Sequence, residues 1–182
     1  MANEKMVNKQ LRLLDGTIVR LCPTDKPLYC SRDGRFFSVH NAILTDDGWI
    51  LHELKPNWTY AMAHFKGGSC YPLLRSYVPH MCHTLVALTW LGPRPPILDP
   101  YGNILGYMEV DHLNGNIHDC SADNLQYVTP AENRRRARIL RTLRAQALAT
   151  NRPDLLPQNM RPDDLLALFT KNNLAGDVYE GD

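Results

Sequence analysis

Short runs of residues that favour β-strands fill the first part of the chain, and turn-forming sequences separate them. The runs are Thr17–Leu21, Leu28–Cys30, Phe36–Val39 and Trp49–Leu54. Asp33-Gly34 and Asp47-Gly48 stand between them, and Asp-Gly pairs are typical of hairpins and tight bends. The pattern predicts a β-rich N-terminal part, whose aromatic residues either form its core or stack on bases: Phe36, Phe37, Trp49, Trp58 and Tyr60.

A short helix and a connector follow. His80–Leu91 carries apolar residues in a helical window that Gly92-Pro93 closes, which predicts a buried helix with a glycine stop. Four prolines lie between Gly92 and Pro100, so we expect a rigid connector there.

The stretch 104–150 predicts the order strand, loop, strand, helix. Ile104–Val110 and Leu125–Val128 are the strands, and a polar loop separates them. Thr129 is a good N-cap residue, Pro130 falls at the first helical position, and Glu132 completes a capping box. Beyond residue 150, Asp163–Phe169 predicts a short helix in a C-terminal tail.

Composition narrows the class of protein. With 182 residues, 44% of them hydrophobic, the chain can bury a core, which excludes a wholly disordered protein. No apolar run approaches the ~20 residues of a membrane span, and the first ten residues lack the apolar core of a signal peptide. The five cysteines form no Cys-x-x-Cys pair, which suits reduced thiols. We therefore expect a cytoplasmic protein without a membrane partner.

Charge is concentrated in one place. The net charge is only +1, yet residues 131–152 contain seven arginines and a single acid, Glu132. Such local asymmetry indicates contact with a polyanion. Arg134, Arg138 and Arg141 share one helical side, while Ile139, Leu140 and Leu143 can pack on the other. A merely solvated arginine face is the alternative.

Four polar residues carry the candidate chemistry. Asp111 and His112 end the first predicted strand, Asn124 opens the second, and Asn133 lies in the first turn of the helix. A hairpin packed on that helix would bring them into one pocket. Asp111 and the Asn133 side-chain oxygen are hard ligands suited to Mg²⁺ or Mn²⁺. His112 is suited to take a proton from water at neutral pH, with Asn124 holding its imidazole in the useful tautomer.

This pattern resembles the HNH endonucleases of the ββα-metal class. The resemblance is carried by D-H-x(11)-N-x(8)-N, by Asn114-Gly-Asn116 after the histidine, by "NLQYVTPAEN", and by the arginines that follow. It is greatest to phage and intron-encoded homing endonucleases, and "HTLVALTWLG" upstream is similar to a segment of the same subgroup. The resemblance implies that His112 is the general base, that Asp111 and Asn133 bind the metal, and that Asn124 positions the base.

The expected fold class is α+β, with a β-rich N-terminal part, a ββα-metal (HNH) nuclease core and a helical C-terminal tail. The expected domains are a DNA-contacting module over 1–79, the nuclease core over 80–150 and the tail over 151–182. The expected substrate is double-stranded DNA in a prokaryotic or phage-infected cell, cleaved by hydrolysis with one Mg²⁺ or Mn²⁺ per site. Residues expected to contact DNA are Arg134, Arg135, Arg138 and Arg141.

Several alternatives stay open. A non-catalytic DNA-binding or accessory protein with the HNH fold is the second functional hypothesis, and the chain acts as a monomer or as a homodimer. His83 either packs in the core or supports the phosphate and metal pocket. A zinc site from His80, Cys82, His118 and Cys120 is a third idea, but the H-x-C spacing lacks the paired motifs of tetrahedral sites, so zinc is not the expected ion.

Overall fold

The structure is a computed structural model that describes residues 9–56, 74 and 81–151. Trp58, Tyr60, His80 and the tail helix predicted at Asp163–Phe169 lie outside the described residues. The chain divides into two compact units: residues 1–95 with 117–126, and residues 96–116 with 127–182. Strands and helices occur together, which agrees with an α+β class. No helix in the described part of the chain is long and apolar enough to cross a membrane.

The first unit is built on a five-stranded antiparallel meander. Its strands are β1 (Gln10–Arg12), β2 (Ile18–Leu21), β3 (Leu28–Ser31), β4 (Phe36–Thr45) and β5 (Gly48–Leu54), and they pair in sequence order. The two edges of the sheet meet, because Leu13 forms a bridge with Trp49 and the Leu14 N–H donates to the Trp49 carbonyl at 3.2 Å. Leu11, Val19, Tyr29 and Phe37 fill the interior.

The predicted strands of this sheet are confirmed, but β4 is longer than predicted. It continues from Val39 to Thr45 through a register shift between Ser38 and Ile43. Asn41 lies in that shift with φ 56°, and asparagine tolerates this left-handed conformation better than most residues. The polar pair His40-Asn41 therefore marks a bulge and not the end of the strand. Phe36 and Phe37 are buried, as expected of core residues.

Helix α1 (Cys82–Trp90) packs in the first unit with Leu85, Val86 and Ala87 buried. The Leu91 and Gly92 N–H groups both donate to the Ala87 carbonyl, at 2.8 and 3.2 Å. Gly92 has φ +98°, the left-handed conformation of a glycine after a helix end. The predicted helix and its glycine stop are confirmed.

The turn between β3 and β4 holds the segment Ile117–Gln126. The Ala122 N–H donates to the Arg32 carbonyl at 2.8 Å, and Arg32 forms an ion pair with Asp123 that lowers the pKa of this carboxyl, chiefly through the hydrogen bond. A Cβ at Gly34 would stand 3.0 Å from the Cys120 carbonyl carbon. The segment contains the 3-10 turn Ala122–Asn124, so the sheet fixes the backbone that carries Asn124.

The second unit contains a hairpin of β6 (Pro96–Leu98) and β7 (Ile104–Tyr107). Two expectations were wrong here. The proline-rich connector contains a strand, β6. Pro96 is compatible with this strand because it occupies the first position, where a missing N–H is tolerated. The predicted strand Ile104–Val110 is two strands, β7 and β8 (Glu109–His112), because β7 pairs with β6 whereas β8 pairs with β9 (Leu125–Val128).

Helix α2 (Pro130–Thr150) begins as predicted. The Thr129 side chain accepts a hydrogen bond from the Glu132 N–H at 3.2 Å, and Pro130 is the first helical residue. Ile139, Leu140 and Leu143 are buried, as expected for the apolar side of this helix.

We predict that Gly34→Ala destabilises the first unit more than Gly92→Ala does. Both glycines have positive φ, so both variants incur a backbone cost of about 1–2 kcal/mol. Only at Gly34 does the added methyl group meet another backbone segment, since nothing lies within 4 Å of the Cβ position at Gly92. Urea unfolding of the two variants measures the difference, and equal losses of unfolding free energy would contradict the close packing at Gly34.

Candidate metal centre

Two polar bridges join β8 to the start of α2, and both lie within the second unit. Residues two apart on a strand point to the same face, which places Glu109 with Asp111. Residues three apart on a helix also share a face, which places Asn133 with Arg136. Glu109 contacts Asn133, and Asp111 contacts Arg136. The four side chains therefore form one patch between strand and helix.

The Glu109–Asn133 bridge orients an amide. Asn133 Nδ2 donates to Glu109 Oε2 at 2.7 Å. A carboxylate can only accept, so the amide nitrogen must face Glu109 and the Asn133 Oδ1 is directed away from it. That carbonyl oxygen is the atom a hard cation would use.

The Asp111–Arg136 bridge is a buried ion pair. Arg136 Nε lies 2.8 Å from Asp111 Oδ2, and the two side chains are 1% and 11% exposed. Arg136 Nη2 also donates to the Leu113 carbonyl at 3.5 Å, at the end of β8. Within the described residues, neither Arg136 Nε nor Arg136 Nη1 has a hydrogen-bond partner, so the contact with Asp111 is an ion pair and not an aligned hydrogen bond. A carboxylate has about four lone-pair sites and can serve an arginine and a cation at once.

The structure places three of the four predicted site residues in the second unit. His112 is the last residue of β8 and is buried, directly after Asp111. Asn124 belongs to the first unit, where it is buried and its Nδ2 donates to the Asp119 carbonyl at 2.8 Å. Asp111 and Asn133 both contact residues across the β8–α2 interface, and their role as ligands of one metal ion stays a prediction. A pocket shared with Asn124 stays a prediction.

The donor set fits a magnesium-like ion. Asp111 and Asn133 offer a carboxylate and an amide oxygen, and Mg²⁺ is commonly held by one or two protein ligands while water and phosphate complete its octahedron. The described residues contain no group of three or more His, Cys, Asp or Glu side chains that could hold a metal ion. A site made by Asp111 and Asn133 is a different case, because groups of His, Cys, Asp and Glu do not include an asparagine ligand.

The residues considered for zinc lie elsewhere in the fold. Cys82 and Cys120 are buried in the first unit, His118 is exposed there, and His80 lies outside the described residues. Burial, followed by the charge of Asp119, raises the pKa of Cys120 to about 12, whereas zinc is bound by thiolates. His83 is buried on α1, and a role for it at the metal pocket stays a prediction.

The arginines of α2 do not share one environment. Arg134, Arg138 and Arg141 are exposed. Arg135 is half-buried, and its Nε lies 2.8 Å from Glu132 Oε2. The first three therefore carry their charge at the solvent-exposed surface, while the charge of Arg135 is partly offset by Glu132.

Sequence reasoning did not single out Glu109 or Arg136. The signal that could have found them is spacing: Glu109 stands two residues before Asp111 on a strand, and Arg136 stands three residues after Asn133 on a helix. Neighbours at these spacings share a face with the predicted ligands.

Residues 82–135 match the model of the HNH endonuclease family. The matched stretch runs from the start of α1 into the second turn of α2 and includes Asp111, His112, Asn124 and Asn133. It covers less than a third of the chain, and it supports nuclease activity on DNA in general. The chain has no match among curated proteins or among solved structures.

We predict that the Asn133 side-chain amide is held by Glu109 in solution. Its N–H₂ protons should exchange slowly in amide NMR spectra, and Glu109→Ala should make them exchange as fast as those of an exposed asparagine. Asn103 provides a matched control, because its Nδ2 donates to Asp99 Oδ2 at 2.8 Å. The Asn103 protons should be unaffected by the Glu109 variant; an unchanged Asn133 signal would contradict the bridge.

Proposed function

We propose that this protein is a divalent-metal-dependent DNA endonuclease with a ββα-metal core, similar to homing endonucleases. The observation that carries the proposal is the placement of Asp111 and Asn133 at one β8–α2 interface, inside the stretch that matches the HNH family, with His112 as the next residue of β8. A metal ion on two hard oxygen ligands, together with an imidazole base, is a set that can hydrolyse a phosphodiester at neutral pH.

In this mechanism Asp111 and Asn133 hold the ion through oxygen atoms. A bound Mg²⁺ or Mn²⁺ supplies charge that stabilises the transition state and the leaving oxygen. His112 accepts a proton from the attacking water, whose oxygen forms a bond to phosphorus as the bond to the 3′ oxygen breaks. The 3′ oxygen then takes up a proton from solvent, which leaves 5′-phosphate and 3′-hydroxyl ends. Asn124 keeps the imidazole in the tautomer that can accept.

The exposed arginines of α2 are proposed to hold the DNA backbone. Arg134, Arg138 and Arg141 follow the proposed ligand Asn133 on the same helix, so charge that binds phosphate adjoins the proposed site of cleavage. Arg135 is proposed to bind phosphate as well when its ion pair with Glu132 breaks. The β-rich module is also proposed to contact DNA. A monomer has one such site, so nicking is the expected product, and cleavage of both strands requires two copies or two events.

A specific observation favours the second candidate, a DNA-binding protein that keeps the fold without turnover. The Arg136 ion pair offsets the charge of Asp111, which a metal site needs. Incubation with supercoiled plasmid and Mg²⁺ or Mn²⁺ separates the two candidates. Conversion to nicked or linear DNA supports the nuclease, whereas a mobility shift without conversion supports the binding protein.

We predict that His112→Ala lowers plasmid cleavage by about 10²–10⁴-fold, because a positioned general base typically contributes that much. DNA affinity should be retained, since His112 is buried and is not a phosphate contact in this mechanism. His118→Ala is the matched control: this histidine lies exposed in the loop, and its loss should leave the cleavage rate unchanged. Undiminished cleavage by the His112 variant would remove it from the role of base.

We predict that Arg138→Ala weakens DNA binding and reduces the slope of log K against log[salt] by about one, because one phosphate contact is lost. Arg94→Ala removes an exposed arginine outside α2 and should leave the slope unchanged. Fluorescence anisotropy at several salt concentrations measures both; equal slopes for wild type and Arg138→Ala would exclude the contact.

A further inference from the structure

Among the arginines of α2 whose side chains the structure describes, Arg136 alone is buried. Its side chain is 1% exposed, whereas Arg134 and Arg138, two residues away on either side, are exposed. Removing a guanidinium from water is costly unless charge and hydrogen bonds replace the water. The replacement is incomplete, because Nε and Nη1 have no hydrogen-bond partner in the described residues. The ion pair with Asp111 is therefore the main compensation that the structure provides.

Helix packing alone does not require this pair. Ile139, Leu140 and Leu143 already bury the apolar side of α2. Replacing a buried ion pair by apolar residues of similar size is often neutral or stabilising, so a buried pair is weak evidence of a stabilising role. Its consequence for Asp111 is more specific: Arg136 Nε lies 2.8 Å from Oδ2, so the guanidinium holds one oxygen of this carboxylate at the β8–α2 interface.

The charges of the patch suit a metal that must also receive a phosphodiester. Glu109, Asp111 and Arg136 together carry one negative charge. Binding a divalent cation makes the patch positive by one, which complements the single negative charge of a phosphodiester. Without Arg136 the loaded patch would be neutral, and that attraction would be lost.

We propose that Arg136 is a positioning residue of the metal centre: its ion pair fixes the Asp111 carboxylate so that one oxygen binds the arginine and the other binds the cation. This inference rests on the proposed function, because it requires that Asp111 binds metal. It assigns Arg136 a different task from the exposed arginines of the same helix, which face DNA.

Mn²⁺ binding to the protein without DNA tests the inference. Titration followed by the electron paramagnetic resonance of free Mn²⁺ gives a dissociation constant for wild type and for Arg136→Lys, which keeps the charge but loses the planar fork. We expect the constant to rise 10- to 100-fold, as is typical when a group that orients a metal ligand is changed. Arg135→Lys is the matched control, since that side chain pairs with Glu132, and it should bind Mn²⁺ like wild type.

A second measurement does not require the Arg136 variant to fold, because it follows Arg136 itself in wild-type protein and in Asp111→Asn. The Arg136 Nε–H resonance should shift when Mg²⁺ saturates the protein, and Asp111→Asn should abolish the shift. One set of results would overturn the role of Arg136 alone. In it Asp111→Asn abolishes Mn²⁺ binding, but Arg136→Lys keeps the wild-type dissociation constant and the Nε–H signal is insensitive to Mg²⁺. Failure of wild type to bind Mn²⁺ would overturn the metal-dependent function and this inference together.

Discussion

The arrangement of the candidate centre depends on two polar bridges between β8 and α2. Two residues along a strand span about 6.6 Å and three along a helix rise about 4.5 Å, a difference of about 2 Å that the side chains of the Glu109–Asn133 and Asp111–Arg136 pairs take up. A shift of the helix by one residue would rotate its side chains by about 100° and break both bridges. The Thr129 cap prevents that shift, because it fixes the residue at which the helix begins.

A similar constraint acts in the first unit, on the segment that carries Asn124. Hydrogen bonding of Ala122 to Arg32, the Arg32–Asp123 ion pair and the close approach at Gly34 all tie Ile117–Gln126 to the turn between β3 and β4. The ion pair is exposed and contributes little by itself. Backbone contact is the stronger restraint, since it leaves no room for a side chain at Gly34.

The parts of this structure that the sequence predicted are those with local causes. The start of α2 follows from Thr129, Pro130 and Glu132, and the strands at 17–54 follow from short runs between Asp-Gly turns. Strand β6 was missed, because Pro96–Leu98 becomes a strand only by pairing with β7, several residues away. The bulge at Asn41 was missed for the same reason: it is visible only in the register between β4 and β5. The spacing of the motif predicts Asp111 and Asn133 as metal ligands, whereas Glu109 and Arg136 are added by the contacts they make in the structure.

The arginine run shows why composition alone could not assign roles within α2. Positions 134, 135 and 136 are all arginine. Because successive residues of a helix are rotated by about 100° around its axis, each of the three side chains meets a different environment. Arg134 faces solvent, Arg135 meets Glu132, and Arg136 is buried against Asp111. The first turn of the helix also carries partial positive charge from its N–H groups, which favours anions near Asn133. In the proposed function, α2 orients a metal ligand on its buried side and attracts a phosphate backbone on its exposed side. The two tasks do not interfere, because their side chains lie on different sides of the helix.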